Sequence, residues 1–76
     1  MSDAFDVTAR MALLEAAVRG LNDAASEYST LLHRERSGER LTRKDVYAAA
    51  VRMRRDVERA RLALRATEAM SGALGA

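Results

Sequence analysis

An apolar repeat with alternating steps of four and three, present twice and interrupted once, limits what this chain can become. The first copy runs Val7, Met11, Leu14, Val18, Leu21, Ala25, Tyr28, Leu32. The second runs Val46, Ala50, Met53, Val57, Ala60, Leu64. A period of about 3.5 residues keeps one stripe of an α-helix facing a neighbouring helix, so each copy predicts a long helix with a packing seam. Leu14, Leu21, Val57 and Leu64 are then expected in the core between the helices. Truncating such a residue, as in Leu21→Ala, costs about 2–5 kcal/mol when the site is fully buried.

The interruption carries the signals that helix ends require, because terminal carbonyls and amides lack partners within the helix. Gly38 can adopt the left-handed conformation that closes the first helix. Thr42 and Asp45 are spaced as a shortened capping box, with Leu41 and Val46 at the staple positions on either side. The first helix is expected from about Asp3 to Ser37, the turn at 38–41, and the second helix from about Thr42 to Ser71. Gly72 is a candidate stop, leaving a short tail from Ala73 to Ala76. The reading is all-α: one domain over residues 1–76, folded as a two-helix antiparallel hairpin of coiled-coil type.

Composition agrees and removes alternatives. With 49% hydrophobic and 32% charged residues the chain has the balance of a packed protein, not a disordered one. Pro, Cys and Trp are absent and only three residues are aromatic, which argues against a small β-barrel or a disulfide-stapled domain. No apolar run approaches the ~20 residues of a membrane span, and the acidic start Met1-Ser2-Asp3 is unlike a signal peptide, so a cytoplasmic location without membrane contact is expected. Lacking cysteine and holding a single histidine, His33, the sequence offers no metal cluster or thiol nucleophile. Its four glycines are scattered rather than gathered in a phosphate loop. The expectation is a non-enzymatic protein with no cofactor and no small-molecule substrate.

Two stripes, each burying one side, give a chain of this size little core to set against conformational entropy. Association is therefore expected, with further copies or with a helical partner protein. Ala12, Ala16, Gly20 and Ala24 step by four along the first helix and form a candidate oligomer face. Alanine-rich helix faces also arise from coding bias, and both readings stay open. Charge is uneven: residues 1–33 hold five carboxylates against two arginines, and residues 34–76 hold eleven cations against six carboxylates. Arg52, Arg55 and Arg59 form a ladder on the second helix that could contact an anion or, weakly and without sequence preference, nucleic acid. Nearby Asp56 and Glu58 favour instead a solvated, salt-bridged face.

From Gly38-Glu39-Arg40-Leu41-Thr42-Arg43-Lys44-Asp45-Val46, through Tyr47-Ala48-Ala49-Ala50, to the run Arg59-Ala60-Arg61-Leu62-Ala63-Leu64-Arg65, the chain resembles the helical hairpin of phage small terminase subunits. The resemblance covers about half of the sequence. It implies an oligomerisation element of a DNA-packaging machine, without the helix-turn-helix module that reads DNA in that family and with Arg65-Ala66 where a proline often stands. In size and shape, though not in motif, the chain is also similar to the small co-chaperones of type III secretion needle subunits, which implies a hairpin that holds a partner helix.

Overall fold

A computed structural model describes the backbone of residues 2–75 and the side chains of residues 4–70. Two helices, α1 (Ser2–Arg36) and α2 (Arg43–Gly75), form an all-α hairpin measuring 56 × 17 × 11 Å. Early α1 meets late α2, where the Arg10 guanidinium donates to the Met70 carbonyl at 3.2 Å. Late α1 meets early α2, where Arg34 lies 3.5 Å from Asp45, so the helices are antiparallel.

The turn is built by local chemistry. The Glu39 N–H donates to the Arg34 carbonyl at 3.1 Å and the Gly38 N–H to the Glu35 carbonyl at 3.0 Å. These are the paired bonds of a Schellman end. They require the left-handed backbone that Gly38 supplies at φ 92°. Where a Schellman end commonly has an apolar contact, this one has an ion pair, the Arg34 Nε donating to Glu39 Oε2 at 2.8 Å. At the start of α2 the Thr42 N–H donates to Asp45 Oδ2 at 2.9 Å, and the Asp45 N–H donates back to Thr42 Oγ1 at 3.2 Å, completing a capping box. Arg34 reaches both Glu39 and Asp45, and so ties the end of one helix to the start of the next.

Hydrogen bonds from the Thr42 backbone and hydroxyl, and then the nearby Arg34, hold the Asp45 carboxyl below its ordinary range; Arg34 does the same for Glu39. A carboxylate whose folded pKa is depressed contributes stability above its unfolded pKa, and loses that contribution as pH falls through the folded value. The turn should therefore loosen as pH drops below about 4. Reversible melts between pH 6 and pH 2.5 should show an acid limb that is shallower in Asp45→Asn/Glu39→Gln, and Thr42→Ala should cost about 1 kcal/mol at neutral pH. An identical acid limb in the double variant would place the titrating groups elsewhere.

Two expectations need correction here. Helix α2 does not stop at Gly72 but continues to Gly75. A glycine inside a helix costs about 1 kcal/mol without forbidding it, and Gly72 is followed by the helix formers Ala73 and Leu74. Ala76 lies outside the described residues.

The second correction concerns the seam. The buried and half-buried positions of α1 step through Asp6, Arg10, Leu13, Ala17, Gly20, Ala24, Glu27, Leu31 and Arg34, one residue before the large apolar stripe at every step. On α2 they step through Ala49, Met53, Asp56, Ala60, Ala63, Thr67 and Met70. The centre is made of small residues, with Ala49 1% and Ala60 2% exposed. A Cβ placed on Gly20 would stand 2.7 Å from the Asp56 carbonyl oxygen and 3.2 Å from the Ala60 methyl. At Gly20 the backbones meet too closely for a leucine to fit between them, so the large side chains of the central turns are turned aside, while Leu13, Leu31 and Met53 take half-buried seam positions farther out.

Candidate functional site

Most of the large apolar residues turned aside from the seam gather on one side of the hairpin, while Phe5, Val51 and Leu62 are exposed elsewhere. An antiparallel pair has an approximate two-fold axis normal to the plane of its helices, so positions that follow the seam by one residue on each helix fall on the same face. On α1 these are Val7, Leu14, Leu21 and Tyr28, with Met11, Val18 and Leu32 beside them. On α2 they are Ala50, Val57 and Leu64. A shared concavity lined by Tyr28, Leu31, Leu32, Leu41, Val46, Ala49, Ala50 and Met53 brings the two sets together near the turn. Met11 is 60% exposed, Val18 55% and Leu21 50%. Leu14, Val46, Val57 and Leu64 are also exposed, while Leu32 and Met53 are half-buried. Most of the residues expected to form the seam inside the hairpin thus form an apolar face outside it, whereas Met53 and Ala60 do lie on the seam.

The candidate oligomer face is divided. Gly20 and Ala24 are buried between the two helices, while Ala12 and Ala16 are exposed. A row of residues spaced by four drifts about 40° around a helix at each step, since a turn takes about 3.6 residues. Over three steps the row winds from the outer surface into the seam, so these four residues share no common face.

The opposite side of the hairpin is charged. Arg52 Nε donates to Glu27 Oε2 at 2.8 Å across the helices. Arg59 bonds Asp56 on its own helix and lies 3.9 Å from Asp23 on α1. Asp56 is 8% exposed, so this carboxylate sits at the seam with a guanidinium over it. Arg52 and Arg59 therefore serve the hairpin itself, and of the ladder Arg55 has no carboxylate partner among the described residues. The i,i+3 pairing of Arg61 with Glu58 is present at 3.0 Å. The interhelical partners Asp23 and Glu27 were not singled out from the sequence. The signal was available in the charge asymmetry, because an acidic α1 laid along a basic α2 brings opposite charges to the rim of the seam.

At the turn Arg36, Arg40, Arg43 and Lys44 are exposed, without ion-pair partners among the described residues, and make that end of the rod cationic. His33 is exposed next to them. Among the described residues no helix is long and apolar enough to cross a membrane, and no three His, Asp or Glu side chains converge to hold a metal ion. The feature with the greatest capacity for interaction is the apolar face: it is too long and too continuous to match the scattered apolar residues of an ordinary protein surface. Comparison with protein-family models, with curated proteins and with solved structures finds no match to this chain.

Proposed function

We propose that this chain is a non-enzymatic assembly element that acts by laying its apolar face against other helices, its own copies first. The observation that carries the reading is the exposed stripe Val7, Met11, Leu14, Val18, Leu21, Tyr28, continued by the half-buried Leu32, at heptad spacing on a hairpin whose own seam is already filled. A stripe with that period fits a facing helix. In the small-terminase-like version the chain supplies oligomerisation to a DNA-packaging assembly, with DNA recognition held elsewhere. The interhelical engagement of Arg52 and Arg59 makes phosphate contact by that ladder a weaker part of the proposal. A co-chaperone version is favoured by one feature, the mainly apolar concavity beside the turn, a place for apolar side chains of a partner helix.

Light scattering at increasing micromolar concentration tests the reading. A dimer or larger species is expected, and Leu14→Lys/Leu21→Lys should return the mass of one chain while keeping the helical circular dichroism of the hairpin. A wild-type mass of one chain throughout, with a sharp thermal transition, would remove self-association and leave the capture of a different helix.

A further inference from the structure

We infer that the occupant of the apolar face is a second copy of this chain, stacked face to face with its turn at the opposite end, so that α1 lies on α1. This rests on the assembly reading above and adds the identity and orientation of the partner.

The first support is area. A compact monomer of 8.3 kDa is expected to expose about 4,600 Å². This chain exposes 6080 Å². The difference, roughly 1,500 Å², exceeds the ~800 Å² that each partner contributes to a stable interface of standard size.

The second support is symmetry. Two ways of stacking the faces about a two-fold axis are available. With the turns together, α1 of one copy lies over α2 of the other. With the turns apart, each helix lies over its own image. The apolar stripe of α1 is two positions wide, because Met11, Val18 and Leu32 stand outside Leu14, Leu21 and Tyr28. At the corresponding outer positions α2 has Tyr47 and then Arg54, Arg61 and Glu68, so most of its outer row is charged. Stacking α1 on α2 would set the outer half of the stripe against guanidinium groups, which lose hydration without gaining partners. Stacking α1 on its image, about an axis between Val18 and Leu21, sets Val7 against Leu32, Met11 against Tyr28 and Leu14 against Ala25. Apolar then meets apolar along the whole stripe, as an isologous contact requires. The same axis lays α2 on its own image, so that the Arg61–Glu58 pair of each copy meets that of the other.

The third support is charge. The turn holds Arg36, Arg40, Arg43 and Lys44 without carboxylate partners among the described residues. Turns at one end would gather eight such cations, whereas turns at opposite ends separate the two groups by most of the 56 Å length of the rod. Each cationic turn then sits by the end of its neighbour that carries Asp6 and Glu68.

The chain has no native cysteine, so single-cysteine variants report the geometry directly. In the turns-apart dimer Val18 faces Leu21 of the copy, and Val18→Cys and Leu21→Cys each lie only three residues out of register with their own image, close to the Cα separation that a disulfide spans. Each should oxidise to a covalent dimer about a hundredfold faster than Ser26→Cys on the outer surface, because an effective concentration of about millimolar replaces free encounter at tens of micromolar. Light scattering on the reduced variants first establishes that they retain the wild-type mass. If neither Val18→Cys nor Leu21→Cys couples to itself, and a mixture of Val18→Cys with Leu64→Cys chains gives the mixed dimer, the turns lie together and the proposed orientation is overturned while assembly stands. A wild-type mass of one chain overturns the second copy as occupant.

Discussion

Gly20→Leu is expected to open the hairpin. A leucine Cβ at this position would stand 2.7 Å from the Asp56 carbonyl oxygen, a backbone atom that cannot swing away. No rotamer moves a Cβ, so α1 and α2 must separate along their middle, and overpacking of this kind costs about 3 kcal/mol. In a domain of this size that lowers Tm by more than about 10 °C. Gly20→Ala should also destabilise, despite the gain of about 1 kcal/mol in helix propensity, since the Cβ itself makes the clash. Ala16→Leu, exposed one turn away, should change stability by less than about 0.5 kcal/mol. Melts followed by circular dichroism check the series. A Gly20→Leu chain that melts within about 2 °C of wild type would mean that the helices do not meet at Gly20.

The second large effect reverses the usual order of core substitutions. Ala60, 2% exposed and 3.2 Å from the Cβ position of Gly20, has no room to grow, so Ala60→Leu should cost about 2–3 kcal/mol. Leu21, 50% exposed in one hairpin, should lose about 1 kcal/mol or less as Leu21→Ala when the chains are dilute enough to be dissociated. At concentrations where the chains associate, the same Leu21→Ala change should cost more, because the face is then covered. Melts of both variants at low and high protein concentration separate the two roles. A dilute Leu21→Ala chain that loses more than Ala60→Leu would return the large stripe to the interior of the hairpin.

Much of the fold was legible because it is encoded locally. Gly38 and the Thr42 and Asp45 pair act within a few residues of themselves, and the structure uses each as its spacing predicts. The rotation of the helices was less legible. Every position in a heptad repeats with the same period, so periodicity shows that a stripe exists without showing what it faces. Ranking stripes by side-chain size selected Val7 through Leu32, whereas the hairpin closes on Ala17, Gly20 and Ala24, where small volume allows close backbone approach. Charged seam positions such as Arg10, Glu27 and Asp56 disguised the true register further. Each of them is held by a partner across or along the helices, and that contact is tertiary information. The interhelical pairs of Arg52 with Glu27 and Arg59 with Asp23 were hidden for the same reason, since they join residues distant in sequence.

The double-capped turn also bears on how the molecule folds and breathes. In an antiparallel hairpin the chain separation between facing residues grows steadily from the turn, short for Arg34 and Asp45 and longest for Arg10 and Met70. Contacts near the turn close the smallest loops and cost the least chain entropy, so closure proceeds as a zipper that starts where the Schellman end and the capping box already hold the backbone. Opening runs the other way. Amide protection from solvent exchange is therefore expected to rise from the Arg10–Met70 end toward residues 34–45. A partner that threads between the helices would enter at the termini, while one that docks on the outer face meets a surface anchored at its turn end.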